Sequence, residues 1–163
     1  MILVSIETFK GALEMKTKTL SLFFVLAIVF SACSNGSAFQ QNQKKWDGQN
    51  INHYRFTVAV SCFCPFAGVN VTYEVLNGQV LNESVQSTFG DQIDTAQVSD
   101  FYRSYNTIEK VFDYVDGAIK EADETTIEYD PTYGFPSTVS VDWIKQAVDD
   151  EMYLTLSNFE ALS

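Results

Sequence analysis

Apolar and polar residues alternate from Tyr54 to Cys64, with Tyr54, Phe56, Val58, Val60, Cys62 and Cys64 on one face and Arg55, Thr57, Ala59, Ser61 and Phe63 on the other. A period of two predicts a half-buried strand with both thiols on its apolar face. Val69–Leu76 and Gln79–Val85 flank Asn77-Gly78. That dipeptide suits a type I′ turn, whose two central residues both take positive φ, so the segment predicts a β-hairpin. Further on the period changes. Ile108, Val111, Phe112, Val115 and Ile119 fall on one helical face, with Asn106 or Thr107 as N-cap and Glu109 in the first turn, where a negative charge favours the helix dipole.

Three more strands follow, over Thr125–Tyr129, Ser137–Ile144 and Met152–Phe159, with Asp130-Pro131 and Tyr133-Gly134-Phe135-Pro136 in the first gap and 146–151 in the second. A short helix over about 40–49 would place Phe39, Gln43 and Trp46 on one side, and 87–105 reads as a polar connection with a helical turn near Asp100–Tyr105. The order is helix, three strands, helix, three strands. It predicts an α+β fold, an antiparallel β-sheet with helices packed on one face, in two α-βββ halves without a residue-level repeat. No βαβ alternation occurs, which argues against a parallel doubly wound sheet and leaves one sheet face free for binding.

The N-terminal stretch has a different character. From Met15 it carries Lys16 and Lys18, an apolar run over Leu20–Phe30, and small residues Ser31-Ala32 just before Cys33. This is the layout of a secretory signal peptide. Eleven residues at about 1.5 Å each span roughly 16 Å, half of a hydrocarbon core of about 30 Å, so a transmembrane helix fits less well. The segment resembles the bacterial lipobox, with Phe30 where that pattern prefers Leu, Val or Ile. The resemblance implies a diacylglycerol on Cys33, often a further acyl chain such as palmitate on its amino group, and so a stable membrane anchor. Residues 1–32 are then a signal peptide with its true start at Met15, 33–43 a lipidated cysteine and polar tether, and 44–163 a single α+β domain. By the same analogy, the absence of Asp after Cys33 directs a Gram-negative lipoprotein to the periplasmic face of the outer membrane.

The 163-residue chain carries a formal net charge of −11. Removing Lys10, Lys16, Lys18, Glu7 and Glu14 with the leader leaves 7 basic and 19 acidic residues, a net of −12. Such a surface repels nucleic acid and anionic headgroups, since phosphate contacts need clustered Lys and Arg. Acidity serves solubility first; a basic partner or a divalent cation is the sharper alternative. No cofactor is implied.

With Cys33 consumed by lipid, Cys62 and Cys64 remain as an even pair that an oxidising compartment joins. Residues i and i+2 of an ideal strand lie nearly 7 Å apart, at the limit for a disulfide, so the bond requires a bend at Phe63. A structural bridge is the simplest outcome. A thiol-disulfide redox factor is the second, although no Lys, His or helix start nearby would lower a thiol pKa. A metal site is third, because two thiols and the remote His53 fall short of four ligands.

His53 is the only histidine, and the chain contains no G-x-S-x-G elbow, H-E-x-x-H helix or phosphate-cradling glycine loop. The expectation leans away from an enzyme. Asp142, Asp149, Asp150 and Glu151 offer oxygen ligands for a calcium-binding or hydrolytic site, but without EF-hand spacing a solvated turn explains them as well. In Tyr129–Pro136, Asp130 can open an Asx turn, Gly134 can take positive φ and Pro136 can start the next strand. Tyr129, Tyr133 and Phe135, crowded on that loop, form a candidate partner-binding rim.

Together, Trp46, Tyr54–Phe56, Cys62–Cys64, Asn77-Gly78, Thr107–Asp113, Ile127–Pro136, Asp142 and Asp149–Glu151 resemble a family of uncharacterised bacterial secreted proteins and lipoproteins, a domain of unknown function. The resemblance implies a shared fold and an extracytoplasmic location and assigns no enzymatic residue. The expected protein is a lipid-anchored cell-envelope binding module whose partners are the membrane, through its anchor, and a protein or envelope component.

Overall fold

The computed structural model describes residues 34–87 and 93–163. The chain divides into two compact units, Met1–Ser37 and Ala38–Ser163. Only the opening turn of a helix is described in the first. The second holds one six-stranded antiparallel sheet: β1 (His53–Cys62), β2 (Val69–Leu76), β3 (Gln79–Ser87), β4 (Glu124–Tyr129), β5 (Pro136–Asp142) and β6 (Met152–Ala161). Three helices accompany it, α1 (Ser34–Gln49), α2 (Thr95–Tyr102) and α3 (Ile108–Glu121), with a 3-10 turn at Arg103–Tyr105. The fold is α+β. Strand order is β3-β2-β1-β6-β5-β4, so two meanders meet through β1 and β6. The first strand of one half pairs with the last of the other, and the halves are therefore not equivalent in position.

The alternation of the sequence is the alternation of burial. Tyr54, Phe56, Val58 and Val60 of β1, Val71, Tyr73 and Val75 of β2, Val139 and Val141 of β5, and Leu154 and Leu156 of β6 are buried. Trp46 of α1, Tyr102 of α2 and Glu109 of α3 all reach residues of this set. The Trp46 ring meets that of Tyr54 edge-on at 5.4 Å. Tyr102 donates its hydroxyl proton to the Val69 carbonyl at 2.7 Å and accepts from the Val60 amide at 3.1 Å, bridging β1 and β2 just where their direct ladder stops. Glu109 accepts from the Trp46 indole at 3.3 Å and from the Tyr54 hydroxyl at 3.0 Å. Burial, followed by the Glu109 charge, raises the Tyr54 pKa well beyond the usual tyrosine range.

Thr107 caps α3 by accepting from the Lys110 amide at 3.2 Å. Asn77 and Gly78 both take positive φ, 51° and 72°, as the hairpin predicts. Three differences from the sequence reading matter. First, α1 starts at Ser34, so the polar stretch expected as a tether over 33–43 is largely helical, and Phe39 is buried. Phe39 and Trp46 lie two turns apart on the helix and anchor it, Phe39 against Phe112 at 5.8 Å. Tertiary packing makes this polar segment a helix. Second, α2 forms in the expected connection, with Asp94 accepting from the Ala96 and Gln97 amides and Val98 and Tyr102 turned to the core. Third, β6 carries a bulge: Arg55 pairs Glu160 and Thr57 pairs Ser157, so Asn158 and Phe159 stand opposite Phe56 alone. Asn158 absorbs the extra residue at φ 52°. The shift brings Phe159 to the core-side rings of Tyr54 (5.8 Å), Tyr133 (4.7 Å) and Phe135 (4.8 Å).

Candidate functional site

The chemistry predicted from sequence falls at opposite ends of the sheet. Strand β1 stops at Cys62, and the chain bends through Phe63 and Cys64 before returning as β2. The bend brings the two Cα atoms to 5.2 Å and the cysteines are joined as a disulfide. This separation is ordinary for a disulfide, and the required bend at Phe63 is present. Both cysteines are half-buried against the core, whereas Phe63 between them is 83% exposed. A ring closed over so few residues restricts the unfolded chain little, by about 1.6 kcal/mol on the loop-entropy relation. The bridge therefore acts mainly on the local path of the turn and the position of Phe63.

At the other end, Asp130 opens the expected Asx turn, its carboxylate accepting from the Thr132 and Tyr133 amides at 2.8 and 2.7 Å. Gly134 sits at φ +89°, and a Cβ there would stand 2.7 Å from the Asn42 carbonyl oxygen and 3.0 Å from the Lys45 Cβ. The loop is a socket for α1: Lys45 donates to the Pro131 carbonyl at 2.5 Å and Gln49 to that of Thr132 at 3.3 Å. Its aromatics turn inward. Phe135 is 2% exposed, which removes it from the expected outer rim and makes it a core residue. Tyr133 is half-buried over Phe159 and Phe135, and Tyr129 is half-buried with its hydroxyl pKa pushed up to about 12 by burial.

Of the expected acidic group, Asp150 and Glu151 come within electrostatic reach of Asp142. Burial first, then Asp150, Glu151, Glu124 and Asp123, raise the Asp142 carboxyl pKa. Asp150 closes the β5–β6 loop by accepting from the Ile144 amide at 2.7 Å, and Asp149 provides a backbone reversal at φ 70°. Among the described residues no three His, Cys, Asp or Glu side chains are arranged to hold a metal ion. His53 shares a 3.0 Å hydrogen bond with Glu74. That bond, then one from Asn82, lowers the Glu74 pKa. Cys33 and the Met15–Cys33 segment lie outside the described residues.

The strand residues between the buried ones form rows of small and polar side chains across the sheet. Asn70, Ala59, Thr155 and Thr138 align in one, and Ser84, Thr72, Thr57 and Ser157 in another. Thr57 and Thr72 share a 2.9 Å hydrogen bond. These side chains are half-buried or exposed, as on a sheet face left to solvent. Ile144 and Val148, not singled out by the sequence reading, are 57% and 84% exposed in the β5–β6 loop. The available signal was an apolar residue at 148 in an otherwise polar turn before Asp149-Asp150-Glu151.

The fold defines a small α+β domain built on one antiparallel sheet. The chain belongs to a family of unknown function, DUF6174, whose sequence model matches residues 38–161. The match begins within α1, at the residue that opens the second compact unit. No curated protein matches the chain.

Proposed function

We propose that this protein is a lipid-anchored cell-envelope binding module, held by Cys33 and engaging a protein or envelope component through the surface of its sheet. The observation that carries the binding role is the polar sheet face of Thr57, Thr72, Thr138 and Thr155, broad, half-exposed and backed by a well-packed core. The signal-like segment ending in Cys33 supports the anchor and the extracytoplasmic location. Oxidised Cys62 and Cys64 fit the same compartment. The test is crosslinking in intact cells with mass spectrometry, comparing the native chain with Cys33→Ala. A defined partner captured by the native chain and lost with Cys33→Ala is the expected result. Equal capture by both forms would remove the anchor from the mechanism, and absence of any captured partner under working crosslinking would remove the binding role.

A further inference from the structure

The exposed apolar residues are unevenly placed. Of five large hydrophobic side chains exposed among the described residues, Phe63 (83%), Ile144 (57%), Val148 (84%) and Tyr153 (49%) lie at one end of the sheet, and Leu81 lies on the edge strand β3. Strand register puts them there. Cys62 pairs Met152 and Met152 pairs Val141, so the turn after β1 and the loop after β5 emerge beside each other on either side of β6. Adjacent strands are about 4.8 Å apart, which places β1 and β5 within roughly 10 Å. Tyr153 pairs Ser61 and Ser140 and stands next to the same end.

The rim of this apolar tip is predominantly acidic. Asp123, Glu124, Asp142, Asp149, Asp150 and Glu151 belong to the strand ends and loop that frame it. Burial first, and then Asp150, Glu151, Glu124 and Asp123, raise the pKa of Asp142 among them. Lys145 is the basic residue of that loop and is tied to Glu124 at 3.2 Å. An anionic lipid surface or nucleic acid meets repulsion here, while a cationic apolar segment meets complementary charge around complementary apolar surface. The Cys62–Cys64 bridge restrains the backbone on either side of Phe63, so this anchor has less freedom to lose on binding.

We infer that this end of the sheet is a docking surface for a cationic amphipathic polypeptide segment, with Phe63 and Val148 as its apolar anchors; the inference rests on the binding-module reading and names the chemistry of the partner. The probe is a fluorescent synthetic peptide of alternating Leu and Lys, added to the full chain and followed by anisotropy. The expected result is saturable binding that weakens about tenfold in Phe63→Ser with Val148→Ser, a change that leaves the charge intact. Reduction of the disulfide is expected to weaken it about threefold through lost restraint. A Lys/Gly peptide that binds as tightly, or a double variant that binds unchanged, would overturn the inference in favour of unspecific charge attraction. Preference for zwitterionic vesicles through the same two side chains would overturn it in favour of lipid. Unfolding midpoints of the variants verify that the domain is intact. If the anchored protein with Phe63→Ser and Val148→Ser still captures its cellular partner, this inference fails while the binding-module reading stands.

Discussion

Two phenylalanines mark the difference between the ends of this sheet. Phe135, in a loop dense with aromatics, is 2% exposed and packs among Trp46, Tyr133 and Phe159. Phe63, the one large ring between two cysteines, is 83% exposed. Density of aromatics along the chain is thus a poor guide to a contact surface here. The YDPTYGFP loop packs its rings against the core and holds α1 through Phe135 and its backbone carbonyls, whereas the short CFC turn leaves its ring in solvent.

The largest expected effect tests that contrast directly. Phe135→Ala removes a buried ring and should cost about 3–5 kcal/mol in urea unfolding, against a change within about 0.5 kcal/mol for Phe63→Ser. Similar losses at the two sites would mean that the ends do not differ as described. Next is Gly134→Ala. Positive φ and a Cβ at 2.7 Å from the Asn42 carbonyl oxygen both oppose it, and about 2–3 kcal/mol is expected. Amide exchange should rise first in α1 around Asn42 and Lys45, the residues the new methyl displaces. A uniform rise across the sheet instead would show that the loop does not act as the socket of that helix.

Much of this was legible from sequence where local chemistry and tertiary packing agree. The strand of Tyr54–Val60, the Asn77-Gly78 turn, the Thr107 cap and the Asx turn at Asp130 each follow from residues a few positions apart. What escaped depends on distant partners. Nothing local in SNGSAFQQNQ specifies a helix; Phe39 finds Phe112 and Trp46 finds Tyr54 only in the folded chain. The bulge at Asn158 is equally invisible, because its cause is the aromatic cluster that receives Phe159. At the candidate site, the thiol pair and the acids were visible in sequence. Exposure was not, since an apolar residue such as Val148 reads the same whether a loop buries it or presents it.

A smaller effect is expected at the CFC end. Cys62→Ser with Cys64→Ser should lower stability by about 1.6 kcal/mol or less, the entropy of a very short ring, and leave the fold intact. A loss of more than about 4 kcal/mol would show that the bridge holds the core and not only the turn. It would also remove the contrast with the α1 socket, since both ends would then be structural.

The smallest effect is electrostatic, and its sign is informative. The raised pKa of Asp142 means that the folded chain holds this proton more tightly than the unfolded chain, whose carboxyl titrates near 3.8. Across the window just above that value the native state binds more protons, so this group makes stability fall as pH rises. Well below pH 3.8 the carboxyl is protonated in both states and its cost vanishes. Asp142→Asn should therefore melt at the same temperature as the parent or slightly higher at pH 7, with the difference closing as pH drops toward 3.5. A cation bound by this corner would invert the order, because removing a ligand's charge would then lower the melting temperature at pH 7. Melting curves of the two proteins at pH 7 and 3.5, each with and without a chelator, separate an acidic rim that repels itself from one that holds an ion.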